Sequence, residues 1–203
     1  RQTLDSILPL TTGLMADAFV EGDRQPLIFD KAKGSVTLTP LMKKSIEQYY
    51  EGGFNLVDLP AHLGGMGAPP SVQWAAFEFI AGANPAAAFY FLGNTLVRIL
   101  DVRATDAQKK RFVAPMQAGH WGGTMVLTEP DAGSDVGAGR AKAKHIKDDL
   151  YHLEGVKRFI TNGDFDAAPN IVHLVLARPE GKGPGTKGLS MFIVPKFLVN
   201  EDG

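Results

Sequence analysis

Residues 127–135 read LTEPDAGSD, and residues 159–163 read FITNG. Each stretch follows a run of the apolar and β-branched residues that favour strands, and each is rich in small and polar residues that favour turns. Either stretch alone would indicate only a turn or a loop. Together, separated by residues 136–158, they predict two loops that let a flat ligand with polar edges approach the backbone closely.

The beginning of the chain predicts helix. Apolar residues recur at helical spacing over residues 3–20, where Pro9 and Gly13 are expected to break the helix. Residues 21–35 are mostly polar, and we expect them to form a linker.

Further helices are indicated by capping signals and by apolar character. Thr39, followed by a proline, is typical of an N-cap, and Thr105 with Gln108 resembles a capping box. Residues 71–101 are apolar on all sides and predict a pair of buried helices divided at Asn84. Their aromatic residues are therefore expected in the core: Trp74, Phe77, Phe79, Phe89, Tyr90 and Phe91.

From residue 121 onward the sequence favours strands. Asp148-Asp149 predicts a hairpin turn, and the glycine-rich residues 179–188 predict a longer loop. Helices followed by strands indicate an α+β fold, with a helical domain over residues 1–120 and a β domain over residues 121–203. The predicted strands are residues 124–128, 139–146, 151–161, 171–178 and 189–194.

Composition excludes several classes of function. A net charge of −1 gives no electrostatic attraction for nucleic acid or anionic lipid, and no apolar run is long enough to insert into a membrane. The absence of cysteine fits a reducing compartment, so we expect a cytoplasmic protein. The five histidines lack the spacing of metal ligands, so we expect no metal site. The chain begins with Arg1 rather than Met, which we interpret as a sign of processing.

Acidic residues of the first loop are explained by turn chemistry. Asp131 and Asp135 are common turn formers, and Glu129 precedes a proline that favours an extended loop. We therefore expect these carboxylates to have structural roles rather than catalytic ones.

The two loops resemble the flavin-binding signature of the acyl-CoA dehydrogenase family. The resemblance continues upstream in Leu59-Pro60, in residues 64–67 (GGMG), and in a helix that carries Glu78 and Asn84. It implies an N-terminal all-helical domain followed by an antiparallel β domain. Because the chain ends at Gly203, it also implies that this β domain is incomplete and that the family's C-terminal helical bundle is absent.

The resemblance implies an FAD site formed by residues of both loops. The main chain of Met125 and Leu127 and the hydroxyl of Thr128 would bond the pyrimidine edge of the flavin. Phe159 would pack against the ring, and Thr161 would donate toward the reactive nitrogen. The two remaining residues are Gly133, which would allow close approach, and Ser134, which would reach the phosphate or the thioester of the substrate.

The family's reaction is the oxidation of an acyl-CoA thioester to the 2,3-enoyl-CoA. A carboxylate removes the α proton, and the β hydrogen passes as hydride to FAD. The catalytic base of the family lies in or near the missing bundle, so no residue of this chain is expected in that role. The resemblance further implies an electron-transfer flavoprotein as electron acceptor and a homo-oligomer at full length.

Residues 188–195 and 200–203 resemble a bacterial branch of the family that includes 3-methylmercaptopropionyl-CoA dehydrogenase. Three alternatives remain open. An acyl-CoA oxidase shares the flavin pocket but admits oxygen, and a relative of the alkylation-response type binds flavin and DNA without acyl-CoA turnover. The chain could also be an inactive proteolytic fragment.

Overall fold

A computed structural model describes residues 1–200, so Glu201, Asp202 and Gly203, which were included in the predicted β domain and the branch signature, lie outside the described residues. Eight α-helices occupy the first part of the chain: α1 Gln2–Leu10, α2 Ala16–Arg24, α3 Pro40–Glu51, α4 Pro70–Ala83, α5 Pro85–Tyr90, α6 Leu92–Arg103, α7 Asp106–Gln108 and α8 Ala114–Ala118. Within residues 1–200, no helix is both long and apolar enough to cross a membrane.

The break expected at Pro9 and Gly13 does not occur. A π-helical turn, Thr11–Met15, joins α1 to α2 and keeps the chain helical to Arg24. The wider turn follows directly after the proline, whose missing N–H leaves one helical hydrogen bond unmade.

The polar linker predicted over residues 21–35 was also wrong. The end of α2 fills its first residues, and a short antiparallel hairpin follows, with β1 Ile28–Asp30 paired to β2 Ser35–Thr37. Asp30 closes the turn, because its side chain accepts hydrogen bonds from the amides of Ala32 and Lys33 at 2.9 and 3.1 Å. This aspartate is a turn former that the prediction overlooked.

Both helices predicted from capping signals begin where the sequence indicated. α3 begins after Thr39, and Thr105 with Gln108 forms a capping box at the start of α7. The Thr39 hydroxyl is buried but makes no capping bond. Glu21 instead accepts a hydrogen bond from the Leu41 amide at 2.9 Å, so a distant side chain satisfies the first turn of α3.

Residues 71–101 form parts of three helices, because the chain is interrupted at Phe91 as well as at Asn84. Asn84 is fully buried. Its side-chain oxygen accepts from Ala87 N at 3.2 Å, and its side-chain nitrogen donates to Met15 O at 3.1 Å. One residue thus caps α5 and fastens it to the first helical segment.

Only part of the predicted aromatic core is buried. Phe91 is 7% exposed and stacks on Tyr49 with ring centroids 3.6 Å apart, and Phe79 and Tyr90 are half-buried. Trp74, Phe77 and Phe89 are 68%, 45% and 45% exposed, so for these three the prediction was wrong. α4 packs on α1 through one face that includes Ala76 and Ile80, and its other face has no covering element within residues 1–200.

The α+β class is confirmed, but the sheet is mixed rather than purely antiparallel. The central strand β6 pairs in parallel with β3 and β4 and antiparallel with β7, while β4 and β5 form the hairpin predicted at Asp148-Asp149. The long excursion between β3 and β6 permits parallel pairing, whereas short connections produce the antiparallel pairs. The strands are β3 Gly122–Val126, β4 Lys142–Lys147, β5 Leu150–Glu154, β6 Ile171–Pro179 and β7 Ser190–Pro195.

Helix α6 lies directly against β3. A Cβ atom on Gly93 would stand 2.0 Å from the carbonyl oxygen of Trp121, and one on Gly123 would stand 3.1 Å from the Cα of Gly93. The close approach therefore requires glycine on both sides. The helices end at Ala118 and the sheet begins at Gly122. The division into domains 1–120 and 121–203 nevertheless stays a prediction.

We predict that Gly93→Ala lowers the free energy of unfolding by about 1–3 kcal/mol, because the new methyl group would overlap backbone that cannot move freely. Gly82→Ala is the matched control: nothing lies within 4 Å of a Cβ at that exposed position in α4. It should raise stability by about 0.5–1 kcal/mol through helix propensity. Denaturant unfolding of both variants checks this, and equal effects would contradict the packing argument.

Asp166 connects the chain after β5 to the helices. Its carboxylate accepts from Leu38 N at 3.0 Å and pairs with Lys43 Nζ at 2.5 Å. Burial opposes ionisation, but these hydrogen bonds and the lysine charge outweigh it, so the pKa of Asp166 lies below its ordinary value.

A carboxyl whose pKa is lowered by folding stabilises the fold above its unfolded pKa, about 3.9, and loses that contribution as pH falls through the folded pKa. We therefore expect Asp166→Asn to cost up to about 1 kcal/mol at pH 7 and much less at pH 3, with the half-exposed pair screened by solvent. Urea unfolding at the two pH values measures the difference. A cost that does not depend on pH would show that the charge is unimportant.

Candidate functional site

Within residues 1–200, one edge of β3 has no neighbouring strand. In a parallel pair, alternate residues direct both N–H and C=O toward the neighbouring strand. Gly122 N donates to Asn170 O at 2.9 Å, so Gly122, Thr124 and Val126 face β6. Gly123 and Met125 consequently direct their peptide groups away from β6. Met125 is also the exposed residue of this otherwise buried strand, at 39%.

The second loop runs beside the end of β3. Arg158 N donates to Thr128 O at 2.9 Å. The side-chain nitrogen of Asn162 donates to Phe89 O at 2.9 Å and, with a longer separation of 3.4 Å, to Gly123 O. The two loops predicted to act together therefore lie next to each other, and helix α5 contacts the second one.

Phe159, the first residue of the second loop, has an unusual backbone conformation. Its φ is +59°, in the left-handed region that a bulky residue rarely adopts, and its side chain is 79% exposed. The Arg158 guanidinium lies 4.9 Å from the ring centroid. Such strain costs on the order of 1–3 kcal/mol and is concentrated at functional sites. The backbone thus holds an aromatic ring outward at an energetic cost.

A buried ion pair joins the two loops. Glu129 and Lys157 have side chains that are 7% and 13% exposed, with Glu129 Oε1 2.8 Å from Lys157 Nζ. Lys157 Nζ also donates to Leu127 O at 2.9 Å. The carboxylate further accepts from the amides of Arg140 and Ala141 at 2.5 and 3.0 Å. One pair therefore connects the first loop, the segment that leads into the second loop, and the residues just before β4.

The pKa of Glu129 reflects these contacts. Burial opposes the charged form, but the hydrogen bonds from Lys157, Arg140 and Ala141 and the lysine charge together hold the pKa below its ordinary value. An ionised, fully bonded carboxylate with a low pKa is a poor base at neutral pH. The geometry agrees with the structural role expected for this residue.

The remaining predicted site residues are Thr128, Gly133 and Ser134 in the first loop and Thr161 in the second. Glu129 and Ala132 exchange backbone hydrogen bonds across a tight turn, and Gly133 and Ser134 follow it at the surface. A Cβ on Gly133 would meet nothing within 4 Å. Thr128 is half-buried and Thr161 exposed, one on each loop.

Sequence reasoning missed Lys157 and the anchoring role of Asn162. The available signal was a lysine two residues before the aromatic residue of the second loop, with a glutamate in the first. Glu129 and Lys157 form an ion pair because both charges are buried together, and the sequence does not reveal this burial. The Asn162 side-chain oxygen is buried without a hydrogen-bond partner within the described chain.

Two recesses lie elsewhere. They have volumes of about 470 and 380 Å³ and flank the stacked rings of Tyr50 and His120, 4.2 Å apart, away from both loops. No group of three or more potential metal-ligating side chains occurs in residues 1–200.

The residues present fit a flavin. A flavin ring has a polar pyrimidine edge with donors and acceptors and an apolar face. The outward N–H and C=O of Met125 suit the polar pyrimidine edge, and the exposed ring of Phe159 suits the apolar face.

Comparison with known proteins identifies the family of this chain. Residues 15–120 match the family description "Acyl-CoA dehydrogenase, N-terminal domain", and residues 124–201 match "Acyl-CoA dehydrogenase, middle domain". The structure resembles butyryl-CoA dehydrogenase from Megasphaera elsdenii with a TM-score of 0.73 and 26% identity, covering 96% of this chain and 48% of that one.

Two curated relatives share extensive sequence. The broad-specificity linear acyl-CoA dehydrogenase FadE5 of Mycobacterium tuberculosis is 52% identical over 201 residues, covering 98% of this chain and 33% of the relative. The 3-methylmercaptopropionyl-CoA dehydrogenase of Ruegeria pomeroyi is 40% identical over 171 residues, covering 84% and 29%. The chain thus spans about a third of the length of these relatives. It belongs to the acyl-CoA dehydrogenase family and carries that family's N-terminal domain and the matched part of its middle domain.

Proposed function

We propose that this chain forms the FAD-binding part of an acyl-CoA dehydrogenase that oxidises acyl-CoA thioesters to 2,3-enoyl-CoA. The observation that carries the proposal is the meeting of the two loops beside the free edge of β3, with Phe159 turned outward. FAD supplies the hydride acceptor for this reaction. The names of the relatives support a linear acyl chain as substrate and a dehydrogenase reaction.

The residues of this chain would bind and orient the cofactor rather than move the substrate proton. The peptide groups of Met125 and Leu127 and the hydroxyl of Thr128 would bond the pyrimidine edge, and Phe159 would cover part of the ring. Thr161 would donate toward the reactive nitrogen. Close approach at Gly133 would leave Ser134 within reach of the phosphate or the thioester.

The base that removes the α proton would come from outside this chain. Glu129 is the buried carboxylate of the site, and both of its oxygens already accept hydrogen bonds, from Lys157, Arg140 and Ala141. Asp131 is exposed, and its Oδ2 lies 3.5 Å from Nη1 of Arg140. A carboxylate base usually combines a raised pKa with enclosure, whereas the pKa of Glu129 is lowered and Asp131 is open to solvent.

An electron-transfer flavoprotein would accept the electrons, and the full-length protein would form a homo-oligomer. We expect the protein expressed from its full reading frame to bind FAD and to reduce an artificial electron acceptor when a linear acyl-CoA is added. Oxygen consumption with peroxide formation in the same assay would assign it to the oxidases instead. Absence of saturable FAD binding would refute the proposal.

Phe159→Asn tests the outward aromatic ring. Asparagine tolerates a positive φ, and the side chain is mostly exposed, so the free energy of unfolding of the apoprotein should change by less than about 1 kcal/mol. The dissociation constant for FAD should rise roughly two- to tenfold through loss of ring packing. Fluorescence titration and thermal unfolding of the same preparation check the two effects. Unchanged affinity would remove Phe159 from the site.

Thr161→Val tests the hydroxyl of the second loop with a side chain of similar shape. Loss of one hydrogen bond worth about 1 kcal/mol should weaken FAD binding about fivefold. Thr12→Val is the matched control, because that exposed hydroxyl donates within its own helix to Leu8 O at 2.8 Å, far from both loops in sequence. Isothermal titration of both variants should separate them. Equal affinities would contradict the assignment of Thr161.

A further inference from the structure

The ion pair of Glu129 and Lys157 lies directly behind the polar end of β3. The ammonium of Lys157 is 2.9 Å from Leu127 O and 2.8 Å from Glu129 Oε1, and both side chains are almost fully buried. Charge–dipole interactions are stronger here than in water, because the local dielectric is low. A peptide group of the first loop is thus bonded to a buried positive charge.

That peptide group contains both the Leu127 carbonyl and the Thr128 amide. When a charged donor bonds the carbonyl, the amide N–H of the same peptide becomes a stronger hydrogen-bond donor. The next peptide is also held, since Thr128 O accepts from Arg158 N at 2.9 Å. Position and donor strength of the Thr128 amide are therefore set together by neighbours from the second loop.

We propose that Lys157 is a positioning residue that tunes the redox potential of the bound flavin through the Leu127–Thr128 peptide, and that Glu129 moderates its charge. The inference rests on the proposed function. Reduction adds negative charge to the flavin ring, so a stronger donor or an additional positive charge at its pyrimidine edge favours the reduced form. The two members of the pair must then act on the potential in opposite directions.

The test measures the flavin midpoint potential by spectroelectrochemical titration of FAD-loaded protein from the full reading frame. Lys157→Met should lower the potential and Glu129→Gln should raise it. Each shift should correspond to about a tenfold change in the redox equilibrium, about 30 mV for a two-electron couple. Lys157→Arg retains the charge and should restore a potential close to that of the wild type.

A second variant keeps the test decisive if Lys157→Met fails to fold. The double variant Glu129→Gln/Lys157→Met leaves no buried charge, and its potential should lie below that of the wild type. The controls are Lys43→Met and Asp166→Asn, which break a different ion pair and should leave the potential unchanged.

Shifts of the potential in the same direction for Lys157→Met and Glu129→Gln would show that the pair has only a structural role, and would overturn the inference. Unchanged potentials would overturn it as well. Wild-type protein that binds no FAD would overturn the proposed function and this inference with it. Wild-type protein that binds FAD, with variants that behave alike, would overturn the inference alone.

Discussion

The buried ion pair between Glu129 and Lys157 is the interaction on which the rest of the site depends. Removing one partner of such a pair typically costs about 3–5 kcal/mol, because the other charge remains buried without compensation. Here Lys157 also donates to Leu127 O, and Glu129 accepts from the amides of Arg140 and Ala141, just before β4. Its loss would therefore separate the two loops as well as leave a charge unpaired. The strained Phe159 follows Lys157 by two residues, so the pair also holds the segment that bears this strain.

The helical region supports the site at two further points. Gly93 of α6 meets Gly123 of β3 at a distance that excludes any side chain, and Asn162 bonds the carbonyl of Phe89 at the end of α5. The edge of β3 is thereby fixed from the helices as well as from the second loop. The backbone of Phe159 is therefore restrained on both sides. This restraint explains how its ring, which is 79% exposed, keeps a defined direction.

Local signals in the sequence predicted local structure well. The start of α7, the interruption at Asn84 and the hairpin at Asp148-Asp149 all depend on groups within four residues of one another, and all were confirmed. Predictions failed where a distant part of the chain decided. The parallel pairing of β3 with β6 depends on a strand more than forty residues away. The exposure of Trp74 and Phe77 depends on which face of α4 finds a partner, and an apolar pattern on all sides cannot specify that face.

The sequence by itself determined the family, the α+β class and the identity of the two loops, because small residues, turn formers and an aromatic residue in fixed order leave little choice of local conformation. Only the tertiary structure decided how these loops are joined. It buried Glu129 and Lys157 together, turned the peptide groups of Met125 outward at a sheet edge and placed Phe159 in a left-handed conformation. Burial, strand order and pairing direction arise from contacts between residues far apart in the chain, and a local sequence pattern carries no record of such contacts.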